Sequence, residues 1–105
     1  MKIIYALIIL LFVFEKSAIA QEIGLQLYSL REQFKKDVPG TLQQINKWGI
    51  KEIEGGGTYG LPLEEYKKML ADNKLTMVSV GADYEMLKNN PQAAVDEAKK
   101  FNAKY

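Results

Sequence analysis

The chain has 105 residues, of which 26% are charged, with no cysteine, no histidine and a formal net charge of +1 at pH 7. Without cysteine, the chain can form neither a disulfide nor a lipid-modified cysteine anchor. The near-neutral charge argues against nucleic acid or an anionic membrane surface as the main partner, because both are usually bound by a concentrated basic field.

Residues 1–20 have the pattern of a secretory signal peptide. Lys2 supplies a positive charge, residues 3–14 are apolar, and residues 18–20 match an A-x-A cleavage site. A retained membrane anchor is the alternative, but a glutamate and a lysine interrupt the run before it reaches the ~20 apolar residues that a span needs. We therefore expect export to the periplasm or the extracellular space, with no membrane attachment after cleavage.

Strands and helices are predicted to alternate along the rest of the chain. Apolar segments at residues 23–28, 50–54 and 76–82 have the composition of strands, and each precedes a helical pattern. This alternation predicts parallel strands joined by right-handed crossovers. Lys104 and Tyr105 fall where the same spacing would start a fourth strand, so we expect the chain to stop at the beginning of its next unit.

The three predicted helices have recognisable starts and stops. The first has an apolar stripe whose members are expected in the core: Val38, Leu42, Ile45 and Trp48. The predicted caps, first-turn prolines and stop are Asp37, Gly49, Pro62, Asn90 and Pro91. A short further helix is expected over residues 84–88.

The unit length suits a (β/α)8 barrel, at about 31 residues per unit, but it also suits a flavodoxin-like or Rossmann sheet. The alternation in the strands favours the barrel. It places Leu25 opposite Gln26 in the first strand, and in the third it places Val78 and Val80 opposite Met77. One face is then aliphatic and the other mixed, as expected where helices cover one side and the other lines a barrel.

Three glycines follow the second strand in the pattern G-x-G-x-x-G: Gly55, Gly57 and Gly60. Asp83 lies about where a dinucleotide-binding fingerprint has its ribose-binding acid. In that fingerprint, however, the helix begins inside the motif. Here Pro62 puts the helix start after every glycine, and Glu54 would face the pyrophosphate. We expect a strand-to-helix loop with positive φ angles, and we keep an NAD- or FMN-binding α/β domain as a weaker alternative.

Three segments resemble the sugar phosphate isomerase/epimerase family, which has a xylose-isomerase-like TIM barrel. They are "IGLQLYSLREQFKKDVPGTLQQINKWGIKEIE", "TYGLPLEEYKKMLADNKLTMVSV" and "GADYEML", and the likeness covers essentially all of residues 23–105. The resemblance implies an α/β fold in which residues 21–105 are the N-terminal three βα units of a (β/α)8 TIM barrel, truncated at the start of strand 4.

The resemblance also implies a metal-dependent isomerase or epimerase acting on a sugar or sugar phosphate. In such enzymes a divalent ion is held by Glu, Asp and His on later strands. We therefore assign no catalytic residue and no metal ligand here, and we expect this part of the chain to be inactive alone. Many relatives have a histidine where this chain has Gly81. That departure supports the alternative, a non-catalytic carbohydrate-binding protein on the same barrel.

Four residues at strand ends are predicted to bind substrate: Gln26, Tyr28, Glu54 and Asp83. Polar groups at the carboxyl end of a barrel strand are typical of an active site. Each of three has a structural alternative: Gln26 in a buried polar layer, Tyr28 in packing, and Asp83 as a helix cap. Arg31 is interpreted as a solvated side chain, with a phosphate contact as its alternative.

Overall fold

The protein is described here by a computed structural model covering residues 21–105, so the predicted signal peptide lies outside the described residues. The elements in chain order are β1 (Gly24–Gln26), a 3-10 turn (Leu27–Leu30), α1 (Arg31–Phe34), α2 (Val38–Lys47), β2 (Glu52–Gly55), α3 (Leu63–Asp72), β3 (Thr76–Val80), α4 (Tyr84–Asn89) and α5 (Pro91–Lys100). None of the helices in this range is long and apolar enough to cross a membrane.

The strands form one parallel sheet in the order β1-β2-β3. The predicted α/β class and the predicted parallel pairing are therefore confirmed. Parallel neighbours place their carboxyl ends at the same edge of the sheet. The loops that follow β1, β2 and β3 consequently meet at that edge.

The pairing of β2 with β3 contains an irregularity that the sequence did not reveal. Ile53 pairs with Met77, but the next residue, Glu54, pairs with Ser79. The additional residue, Val78, reverses the alternation of faces in the second half of β3. Met77 and Val80 therefore both pack against the core. The prediction that they lie on opposite faces is wrong for this reason.

The core lies between one face of the sheet and the helices. Its side chains are 9% exposed or less, and they come from strands, helices and the segments beside them: Leu27, Phe34, Leu42, Ile45, Ile53, Tyr66, Leu70, Leu75, Met77 and Phe101. The opposite face presents the paired side chains of Gln26, Glu54 and Ser79, which are exposed or half-buried. Within residues 21–105, only one face of the sheet is thus closely packed by helices.

Two of the predicted helix caps are confirmed. The Asp37 side chain accepts a hydrogen bond from the Gly40 backbone N–H at 2.9 Å at the start of α2. Asn90 accepts one from the Ala93 N–H at 3.3 Å at the start of α5. Each bond satisfies a backbone donor that the first helical turn leaves without an internal partner. Gly49, with a φ of +79°, follows the end of α2 and stops this helix as predicted.

Trp48 is not a core residue, and the prediction that it would be is wrong. Its side chain is 55% exposed. The stripe through Leu42 and Ile45 does point into the core, but α2 ends at Lys47 and the chain turns at Gly49 towards β2. Trp48 therefore lies beyond the amino ends of the strands, beside residues 21–23.

The last two residues pair with the outer edge of β3. The N–H groups of Lys104 and Tyr105 donate to the Val78 carbonyl at 3.1 and 3.2 Å, and the Val80 N–H donates to the Tyr105 carbonyl at 2.9 Å. Donation on both sides of Ser79 is the hydrogen-bond pattern of a parallel pair. It occurs at the position where the sequence predicts a fourth strand.

Candidate functional site

An open cleft of about 510 Å³ lies at the carboxyl ends of the three strands. Its lining comes from β1 and β2, from the turn and α1 that follow β1, and from the loops after β2 and β3: Gln26, Leu27, Tyr28, Arg31, Glu54, Gly55, Gly56, Tyr59, Gly81, Ala82 and Asp83. The parallel arrangement brings these segments together although they are about 27 residues apart in the chain. All four residues that the sequence predicts as substrate-binding lie in this one cleft.

Gln26 and Glu54 are paired across the sheet and directly hydrogen-bonded. They are in register in β1 and β2, and the Gln26 Nε2 donates to the Glu54 Oε1 at 2.8 Å. Gln26 is exposed within residues 21–105, so a buried polar layer at this position would need a further part of the barrel to cover the open face and stays a prediction. The bond joins the two side chains on the open face, and within the described residues it leaves the Gln26 Oε1 and the Glu54 Oε2 without a hydrogen bond. The pair is an acceptor-rich element of the cleft wall.

Tyr28 lies in the 3-10 turn just after β1, not in the strand, and its side chain is 68% exposed. The guanidinium of Arg31 sits over its ring, 4.6 Å from the centroid, and the Arg31 Nη1 donates to the Tyr28 carbonyl at 3.1 Å. This is the geometry of a cation–π contact. Tyr28 is consequently held at the cleft rim by its neighbour and not by core packing.

Asp83 caps the short helix α4. Its Oδ1 accepts a hydrogen bond from the Met86 N–H at 2.7 Å, which confirms the capping interpretation. The same residue lines the cleft. One carboxylate oxygen is thus used by the helix, and the negative charge remains at the rim.

The glycines build a loop and no helix start. Gly57 and Gly60 have φ angles of +67° and +82°, and α3 begins only at Leu63, as the loop interpretation predicts. Gly55 serves a different purpose, because a Cβ there would lie 3.0 Å from the Leu27 Cδ1. The geometry that places a pyrophosphate on a helix N-terminus inside the motif is therefore not formed.

Tyr59 is a cleft residue that the sequence analysis did not single out. It adopts a left-handed φ of +54°, and its ring stacks on Phe34 with centroids 4.4 Å apart and planes 5° apart. Its edge meets Tyr66 at 5.9 Å, and burial raises the pKa of the Tyr59 phenol. A non-glycine residue in this backbone region is uncommon and costs free energy that the stacking offsets. The only sequence signal was an aromatic residue enclosed by glycines.

A side chain from α5 fastens the glycine loop. The Gly57 N–H donates to the Glu97 Oε1 at 3.3 Å, and the Lys100 Nζ donates to the Glu97 Oε2 at 2.6 Å. The hydrogen bond from Lys100 is the main cause of a lowered pKa for the Glu97 carboxyl, with the Gly57 N–H adding to it against partial burial. This contact joins residues 40 positions apart in the sequence, and no local sequence pattern predicts it.

The described residues do not assemble a metal site by themselves. No three carboxylates among residues 21–105 approach closely enough to hold an ion together, and the chain has no histidine or cysteine. At the cleft, one oxygen of Glu54 is bonded to Gln26 and one oxygen of Asp83 to Met86. A metal ion of the kind that the resemblance implies would need ligands from outside residues 21–105.

No protein-family model matches the chain, and a search of curated proteins finds no significant relative.

Proposed function

We propose that residues 21–105 form the first three βα units of a (β/α)8 barrel belonging to an exported sugar isomerase or epimerase, and that the cleft at the strand ends is part of its substrate site. The observation that supports this most strongly is the Gln26–Glu54 pair, joined at 2.8 Å on the open face at the carboxyl ends of β1 and β2. Ligand sites of parallel α/β folds lie at this end of the strands.

Two further observations support the barrel. Among residues 21–105 the helices pack against one face of the sheet, whereas a doubly wound sheet is covered on both faces. The backbone of Tyr105 continues the parallel ladder beyond β3. Together with the resemblance of residues 23–105 to the sugar phosphate isomerase/epimerase family, these features favour a curved sheet whose open face becomes an interior lining.

The role of this chain's own residues would be to bind and orient the sugar. The carboxylate of Glu54 and the amide oxygen of Gln26 accept hydrogen bonds from hydroxyl groups, and each such bond to a charged acceptor is about twice as strong as a neutral one. The exposed ring of Tyr28 offers an apolar surface to the C–H face of a sugar. A divalent ion would polarise carbonyl and hydroxyl oxygens when bound, with ligands from outside residues 21–105.

A pair of matched variants tests the proposal. Glu54→Gln removes the charge at the cleft, whereas Glu52→Gln removes the same charge from the opposite end of the same strand, outside the cleft. We expect Glu54→Gln to weaken sugar binding or isomerase activity by about tenfold or more, as for loss of a hydrogen bond to a charged group. The measurement is made on the full-length protein, that is, the complete barrel to which we propose that these residues belong. Glu52→Gln should stay within about twofold of the wild type. Equal effects of the two variants would contradict the assignment.

A non-catalytic carbohydrate-binding protein is the second candidate. At Gly81 the cleft has no side chain, and a Cβ placed there would have Gly55 O as its nearest neighbour at 3.9 Å. The cleft thus has space for a larger residue at the position where many members of the sugar phosphate isomerase/epimerase family carry histidine. Metal analysis of the purified full-length protein distinguishes the candidates. An isomerase of this kind should retain or require a divalent ion, and a binding protein should not.

A further inference from the structure

We infer that the cleft selects an uncharged sugar or polyol and discriminates against the phosphate ester of the same sugar. This inference rests on the proposed function and adds the substrate class, which the family resemblance leaves open. It follows from the charges lining the cleft and from the way its hydrogen-bond donors are already used.

The charges at the cleft favour a neutral ligand. Two carboxylates, Glu54 and Asp83, line it, against one cation, Arg31. The guanidinium of Arg31 is held over the Tyr28 ring and donates to the Tyr28 carbonyl. No lysine is among the lining residues. A dianionic phosphate would therefore meet, in the part of the cleft that residues 21–105 build, a net charge of the same sign as its own.

Three of the backbone donors around the cleft are already engaged. Phosphate sites in proteins use free backbone N–H groups and unengaged cationic side chains. Here the Gly57 N–H donates to Glu97, the Gly81 N–H donates to the Gly55 carbonyl at 2.7 Å, and the Met86 N–H donates to Asp83. These three N–H groups are therefore engaged within the protein and not turned to a ligand.

The acceptors, in contrast, remain open to a ligand that brings its own donors. Within the described residues, Gln26 Oε1 takes no hydrogen bond, and Glu54 accepts one only at Oε1. Sugar hydroxyls can donate to both atoms at once. The rings of Tyr28 and Tyr59 line the same cleft and match the apolar faces of a pyranose or an extended polyol. The site is complementary to a neutral polyhydroxyl compound.

Binding measurements on the full-length protein test the inference. The probes are D-xylose, D-glucose and D-fructose, compared with D-glucose 6-phosphate and D-fructose 6-phosphate. Ligand-observed NMR measures the binding of each probe. EDTA is included so that no metal ion bridges a phosphate to Glu54. We expect each phosphate ester to bind at least about fivefold more weakly than its parent sugar, as expected for like charges near a protein surface. The difference should shrink as salt rises.

Two variants locate the discrimination. Glu54→Gln should reduce the preference for the neutral sugar, and Glu52→Gln should leave it unchanged. Esters that bind as tightly as the parent sugars would overturn the inference and leave the proposed function standing. If no sugar of either kind binds, the proposed function fails together with the inference.

Discussion

The phenolic oxygen of Tyr66 is a buried polar atom without a hydrogen-bond partner among residues 21–105. The side chain is 0% exposed, and its ring meets the rings of Tyr59 and Phe101 edge-on at 5.9 and 6.1 Å. Burial raises the pKa of this phenol, with the nearby Tyr59 hydroxyl adding to the effect. The aromatic packing therefore stabilises the core, while the hydroxyl itself costs desolvation energy.

Replacing Tyr66 tests this separation of ring and hydroxyl. Tyr66→Phe keeps the ring and removes the unpaired oxygen, so we expect the free energy of unfolding to stay the same or to rise by about 1 kcal/mol. Tyr66→Ala should lower it by about 3–5 kcal/mol, because it leaves a cavity. Urea denaturation followed by circular dichroism measures both. A large loss in Tyr66→Phe would reveal a partner for the hydroxyl.

At the scale of elements, the glycine loop between β2 and α3 is connected to α5 by the Glu97 carboxylate. Gly57 and Lys100 donate to its two oxygens. The side chain of Glu97 is 24% exposed, so solvent weakens the contact, and its value belongs to the range of about 0–1 kcal/mol found for surface ion pairs. The loop also carries Tyr59 into the cleft. The Glu97 contact thus influences the position of a cleft residue.

The pH dependence of this contact has a defined sign. The pKa of Glu97 is lowered from its ordinary value of 4.5, so the carboxylate stabilises the fold at higher pH and this contribution is lost as the pH falls below about 4.5. We expect Glu97→Gln to be less stable than the wild type at pH 7, with the difference shrinking once the pH falls below 4.5 and lost below the lowered folded-state pKa. The protection factor of the Gly57 amide, which corrects the exchange rate for its intrinsic pH dependence, should fall over the same range. A Gly57 protection factor that is the same in the wild type and in Glu97→Gln would contradict the contact.

At the scale of the molecule, the sheet has an open face and an edge on β1 that is unpaired within the described residues. Next to that edge, Ile23 is 74% exposed, and Trp48 is 55% exposed beside it. Free strand edges with apolar neighbours pair readily with other chains. A domain of this size also buries a modest core.

We therefore expect residues 21–105, prepared alone, to unfold with weak cooperativity and to self-associate as their concentration rises. Ile23→Lys places a charge beside the β1 edge and should reduce the association without lowering the melting temperature, because the side chain is exposed. Sedimentation velocity at several concentrations, with thermal melts, measures both. A sharp two-state melt of a monomer would show that the open sheet is stable by itself.

Local chemistry was enough to predict a large part of this architecture. Asp37 and Asn90 cap helices because their side chains bond to backbone groups three residues away, and that needs no distant partner. The alternation of strands and helices predicts parallel pairing, which in turn gathers Gln26, Glu54 and Asp83 at one edge. These features are decided by spacing along the chain.

Other features were decided only by the tertiary structure. The extra residue Val78 reverses the faces of β3 because the register with β2 shifts, and Trp48 is exposed because α2 ends at Lys47 and the chain turns at Gly49. Tyr59 takes its left-handed backbone because Phe34 receives its ring, and Glu97 bonds to Gly57 across 40 residues. Each depends on which distant atoms come into contact, and such contacts leave no periodic trace in the sequence.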